Sequence, residues 1–189
     1  MKTWMIKLTL ALSFAASLLS SPARAQMDND GCTLATLKGD YAFTISGTFW
    51  TGPDLVNNAV QRAGIAMTHF NGLGGLSQVD FVKASPNAPP LPGIPPADPV
   101  TGFRYKETGS YTVFADCTGN FTISNPDFVG TSIPGPVITV NFVISNGGRA
   151  IHTVVTSLVV THPDGSTASL TALIRSDGYK VGPILDSWD

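Results

Sequence analysis

Glu107 is the only glutamate in the 189-residue chain, and its surroundings make it the first candidate for chemistry. In the segment 103–113 it shares strand parity with Phe103, Tyr105, Tyr111 and Val113, the more apolar side. Successive side chains of a strand point to opposite faces, so an unbroken pleat aims Glu107 at whatever the apolar face covers. A buried carboxylate is costly unless it is paired. Arg62 has the parity of Val60, Ala66 and Phe70 and is the cation placed to meet it. A Glu107–Arg62 pair flanked by Tyr105 and Tyr111 would form the polar end of a site for a small, mostly apolar ligand. The alternative places Glu107 at a rim, or turns it outward through a bulge at Gly109.

The other reactive residue types offer less. His69, His152 and His162 show no metal-ligand spacing, and no Gly-x-Ser-x-Gly elbow occurs. His69 and His152 fall on strand segments and His162 next to a Pro163-Asp164-Gly165 turn. With one glutamate, and aspartates mostly in turns where they cap backbone groups, a carboxylate pair for glycoside chemistry is not visible. The glycine runs at 72–75 and 146–148 precede no helix, so they are turns and not phosphate cradles. The sequence therefore specifies no catalytic residue, cofactor or metal, and leaves an enzymatic activity open.

The elements that must position these residues begin after an export signal. Lys2 and Lys7 precede an apolar run from Leu8 to Leu19, and Ala23-Arg24-Ala25 supplies the small residues of a cleavage site before Gln26. The run is shorter than the roughly 20 residues a membrane-spanning helix needs. Residues 1–25 are thus read as a secretory signal peptide and 26–189 as one domain, secreted or periplasmic in a bacterium. Cleavage removes Lys2, Lys7 and Arg24, three of 11 basic residues, leaving eight against 13 acidic ones and a net charge of -5. Such a domain repels nucleic acid and anionic lipid headgroups. Cys32 and Cys117 are the only cysteines. In an oxidising compartment they are expected to pair, which the chain-entropy model values at roughly 4 kcal/mol.

The mature chain reads as strands. Ile138, Val140, Phe142 and Ile144 alternate with Thr139, Asn141 and Ser145; Tyr41, Phe43, Ile45 and Phe49 alternate with Thr44, Ser46 and Thr48. Leu170, Ala172 and Ile174 repeat the pattern near the end, and further strands are expected near 59–70, 75–84, 102–115, 120–125 and 149–161. Asn71-Gly72 and Asn146-Gly147 are hairpin turns, because both residue types accept positive φ cheaply. About eight antiparallel strands joined mostly by tight turns favour a closed all-β barrel, with a two-layer sandwich as the alternative. The polar strand faces, rich in Thr and Ser, argue against insertion in an outer membrane. A proline-rich loop at 85–101 breaks the rhythm, since proline donates no ladder hydrogen bond. It is either a recognition loop or a plain connection.

The landmarks Cys32-x4-Leu37-x-Gly39-x-Tyr41-x-Phe43, Phe70-Asn71-Gly72-Leu73-Gly74 and Gly109-Ser-Tyr111-Thr-Val113-Phe-Ala-Asp116-Cys117-Thr118-Gly119 follow one another along most of the mature chain. In that order they resemble a group of secreted bacterial β-proteins of undetermined activity. Asn71 stands where that group carries aspartate, and the proline-rich insertion is longer. The resemblance implies export, the disulfide and the β fold, and it carries no catalytic residue across. Two functions follow: a barrel binding a small apolar ligand in its interior, or an extracytoplasmic module binding a protein or glycan partner through its loops.

Overall fold

The computed structural model of the chain describes residues 31–50, 58–85, 97–125, 134–162 and 164–182. The signal segment and residues 86–96 of the proline-rich loop lie outside the described residues. Eight strands follow one another: β1 (Gly39–Trp50), β2 (Ala59–Phe70), β3 (Gly75–Ala84), β4 (Arg104–Val113), β5 (Thr118–Ser124), β6 (Val137–Ser145), β7 (Ala150–Thr161) and β8 (Thr167–Lys180). Each pairs antiparallel with the next, and β8 returns to β1 from Tyr41↔Lys180 to Trp50↔Thr171, closing a barrel. Closure pairs every strand on both sides and removes the exposed edges an open sheet would carry. The expected fold is therefore the one found, and the sandwich alternative falls.

Local chemistry explains the tight turns. Asn71 Oδ1 accepts from the backbone N–H of Leu73 at 2.7 Å and of Gly75 at 3.0 Å. Asp116 Oδ1 accepts from the N–H and hydroxyl of Thr118 at 3.0 and 2.7 Å. Asp164 Oδ1 does the same for Ser166 at 2.9 and 2.6 Å. In each turn a short polar side chain stands in for a backbone acceptor, the chemistry for which Asn and Asp are favoured there.

The chain order sorts the connections into two ends. At one end lie the short β2–β3, β4–β5 and β6–β7 turns; at the other the strands are joined through 51–58, 85–103, 125–136 and 162–166. A 3-10 turn, Leu34–Leu37, belongs to the short-turn end and buries Leu37 completely. Beside it Cys32 and Cys117 form the expected disulfide. Backbone bonds from Cys32 N–H to Ala115 O (3.2 Å) and from Ile144 N–H to Cys117 O (2.8 Å) tie the same layer to the β4–β5 turn and to β6. Phe70 sits above it with the rings of Tyr41, Tyr111 and Phe121 at 5.5, 5.0 and 6.2 Å, all edge-on. The Tyr111 hydroxyl donates to Leu34 O at 3.0 Å, and the Tyr41 hydroxyl donates to Gly148 O. Burial pushes the Tyr41 phenol up to about 12, helped by Tyr111. This end of the barrel is filled.

Candidate functional site

Further along the barrel, the described residues leave the interior only partly filled. A cavity of about 120 Å³ lies between two unlike walls. One wall, from β5–β8 and β1, is mostly apolar: Ile45, Ile123, Val140, Val155, Leu158 and Ile174 face it, with the mutually hydrogen-bonded hydroxyls of Thr153 and Ser176 (2.6 Å) as its polar members. The other, from β2–β4, presents Arg62, Gln78, Asp80 and Arg104. Glycine contributes where an aromatic ring needs room: a Cβ on Gly178 would stand 2.3 Å from the Phe43 ring, so Phe43 occupies space that any larger residue would take. Several water molecules or a small apolar group fit such a volume, since one water needs only about 10–15 Å³ measured this way.

The polar wall is built by a bulge. Gln78 pairs with Glu107, but two residues further along β3 Asp80 pairs with Arg104, three residues away on β4. The extra residue is accommodated by Lys106, whose φ is +69°, a left-handed conformation uncommon for lysine. Across the bulge the alternation is reset, so Arg104 and Glu107 both face inward. Arg104 Nε donates to Asp80 Oδ1 at 2.7 Å and Nη2 donates to Asp80 Oδ2, a bidentate pair. Burial works against the Arg104 charge, but the hydrogen bonds and charge of Asp80 outweigh it and raise its pKa.

Glu107, only 2% exposed, is served less well. Its Oε2 accepts from Gln78 Nε2 at 2.8 Å, and Gln78 Oε1 in turn accepts from the buried Thr68 hydroxyl at 2.7 Å. Arg104 Nε, already committed to Asp80, stays 3.9 Å from Glu107 Oε1. Desolvation, reinforced by the Asp80 charge, therefore dominates and lifts the Glu107 carboxyl to about 7.

The four expected site residues separate. Glu107 faces inward, as parity predicts, but its partners are Gln78 and Arg104. Arg62 lines the same cavity without an ion pair to Glu107; its guanidinium lies over the Phe49 ring, 4.6 Å from the centroid. Tyr111 belongs to the filled end. Tyr105 is 49% exposed and faces out, because the bulge falls at Lys106 and not at Gly109. Its hydroxyl lies 3.3 Å from that of Thr101. Asp80 and Arg104 were not singled out from sequence. The available signal was that Asp80 lies in the middle of the 75–84 strand, away from any turn it might cap.

Asn125, 8% exposed, donates from Nδ2 to Pro136 O at 3.2 Å, while among the described residues its Oδ1 accepts no hydrogen bond. Asn125 also lines the cavity.

A second constellation lies on the outer wall. Ser145 Oγ is 3.2 Å from His152 Nε2, and His152 Nδ1 is 2.7 Å from Asp177 Oδ1, the order of an acyl-transfer triad. The side chains of His152 and Asp177 are 45% and 47% exposed, so water competes for each bond. His152 stands directly opposite Asp177 in the β7–β8 register, and Asp40 stands opposite His69 in β1–β2, with His69 Nδ1 2.8 Å from Asp40 Oδ1. The repetition identifies a cross-strand polar ladder of the solvent face. Among the described residues, no group of three or more His, Cys, Asp or Glu side chains is placed to hold a metal ion.

No family model, curated protein or solved structure matches the chain.

Proposed function

We propose that this protein is an exported barrel that receives a small, mostly apolar ligand into its interior through the end opposite the disulfide. The observation that carries the reading is the contrast inside one barrel. Eight strands of this size can be filled by their own side chains, as the lower half is, yet the upper half retains a cavity with one apolar and one charged wall. Burying Asp80, Arg104 and Glu107 costs stability that an apolar filling would not. A polar wall beneath an apolar space is the composition of a ligand site, where a few placed polar groups fix orientation. The signal segment and the disulfide support an extracytoplasmic location. So do Lys83, Arg175 and Asp177 on the outer wall, which suit an aqueous environment better than a lipid-facing band.

The test is titration with N-phenyl-1-naphthylamine, an uncharged apolar fluorophore whose emission rises on leaving water. Wild type should show saturable enhancement at one site per chain. Val155→Phe, which places a ring in the cavity, should abolish it while the protein still melts cooperatively. Enhancement that survives Val155→Phe unchanged would place the dye elsewhere and contradict the reading.

A further inference from the structure

From the charges that face the cavity we infer the class of its ligand: an apolar monocarboxylate whose head group pairs with Arg62. The inference rests on the cavity being a ligand site and goes further by naming the chemistry. Three ionisable side chains line the polar wall, Arg62, Asp80 and Arg104, and Glu107 lies behind it. Arg104 and Asp80 satisfy each other through a bidentate pair. Glu107 is held by Gln78 beneath them and is not itself on the cavity wall. Arg62 is left over. Among the described residues it makes no ion pair, and its guanidinium lies over the face of Phe49. Its charge is further disfavoured by burial and by the neighbouring Arg104 guanidinium. A second positive group in a space of low dielectric is the condition under which an incoming anion gains most. The guanidinium fork matches a carboxylate in two parallel hydrogen bonds, and the opposite wall of Ile45, Ile138, Val155, Leu158 and Ile174 accepts the apolar body.

Asn125 is an independent sign that the space is built for a polar contact. A buried carbonyl oxygen without a donor is costly, and such groups are rare enough that each calls for an explanation. Its Oδ1 is on a residue of the cavity wall with its own Nδ2 already used, so a hydroxyl or N–H on the ligand would complete it.

The experiment compares three probes of equal length, octanoate, 1-octanol and octylammonium, by calorimetry on the disulfide-bonded mature protein at low ionic strength. Octanoate should bind at one site about tenfold or more tighter than 1-octanol, and octylammonium more weakly than both. In Arg62→Met the acid and the alcohol should converge to within about threefold, while Arg62→Lys should keep part of the preference for the acid. Melting curves of both variants establish that they are folded at the working temperature. The wild-type comparison alone is decisive if they are not. Equal affinity of wild type for octanoate and 1-octanol would overturn the head-group assignment and leave the cavity reading standing. If neither these probes nor the naphthylamine bind, the cavity reading falls with it.

Discussion

The two ends of the barrel are made from the same alternating strands but put their inward positions to opposite uses. At the short-turn end those positions hold Tyr41, Phe70, Tyr111 and Phe142, packed over Leu37 and stapled by Cys32–Cys117. The two tyrosine hydroxyls there donate to backbone carbonyls, Tyr41 to Gly148 in the β6–β7 turn and Tyr111 to Leu34 in the 3-10 turn. Towards the other end inward positions hold Arg62, Asp80, Arg104 and Asn125 around a space that none of the described side chains fills. The lesson is that closure of a β-barrel does not dictate a filled interior. One end supplies stability, and that stability lets the other carry buried charge.

The sharpest way to break the comparison is to empty the filled end. Phe70→Ala removes the ring against which three others pack, and should destabilise by about 4 kcal/mol, read from chemical denaturation. A loss under about 1 kcal/mol would mean the lower half is not the stabilising core.

The next effect belongs to the polar wall and depends on pH. Glu107 titrates near 7 in the folded protein against an ordinary value of 4.5. A raised carboxyl pKa favours the protonated, folded state, so its contribution is complete below about pH 4.5 and is lost as pH rises through 7. Stability should fall across pH 5–8 by on the order of 1–3 kcal/mol. Glu107→Gln should flatten that slope and melt higher than wild type at pH 8. Asp98, Asp116 and Asp164, which backbone and hydroxyl donors hold below the usual carboxylate range, act with the opposite sign and only in more acidic solution. An unchanged slope in Glu107→Gln would show that Glu107 is not the group responsible.

The smallest expected effect is at the apolar wall of the cavity. Val155→Phe adds volume where space exists and should change stability by less than about 1 kcal/mol. The same enlargement at Gly178, where a Cβ meets the Phe43 ring at 2.3 Å, should cost more, because something packed must move. If the two substitutions cost the same, the cavity is not open space.

Much of this architecture was legible in the chain. Alternation at 138–144 and the Asn71-Gly72 and Asn146-Gly147 turns announce antiparallel strands, and two cysteines behind an export signal announce their pairing. Glu107 could be aimed inward because parity survives from Tyr111 to Glu107. It fails one step later: Lys106 is not a residue type that signals positive φ, so the bulge was invisible. Strand parity alone therefore places Tyr105 inside and Arg104 outside, the reverse of what the bulge produces. Asp80 was hidden for a different reason. Aspartates are mostly turn residues, and only the three-dimensional pairing of β3 with β4 shows that this one has a buried cation to meet. The Ser145–His152–Asp177 ladder depends on the register of three strands, which sequence spacing does not reveal.

The central claim is that the interior holds a ligand, and native mass spectrometry of the protein from an exporting host tests it most directly. Wild type and Val155→Phe are measured side by side, each against its own denatured mass. The account predicts a reproducible adduct on wild type that is lost on denaturation and missing from Val155→Phe. An adduct of the same mass and occupancy on both proteins, or none on either, would contradict it.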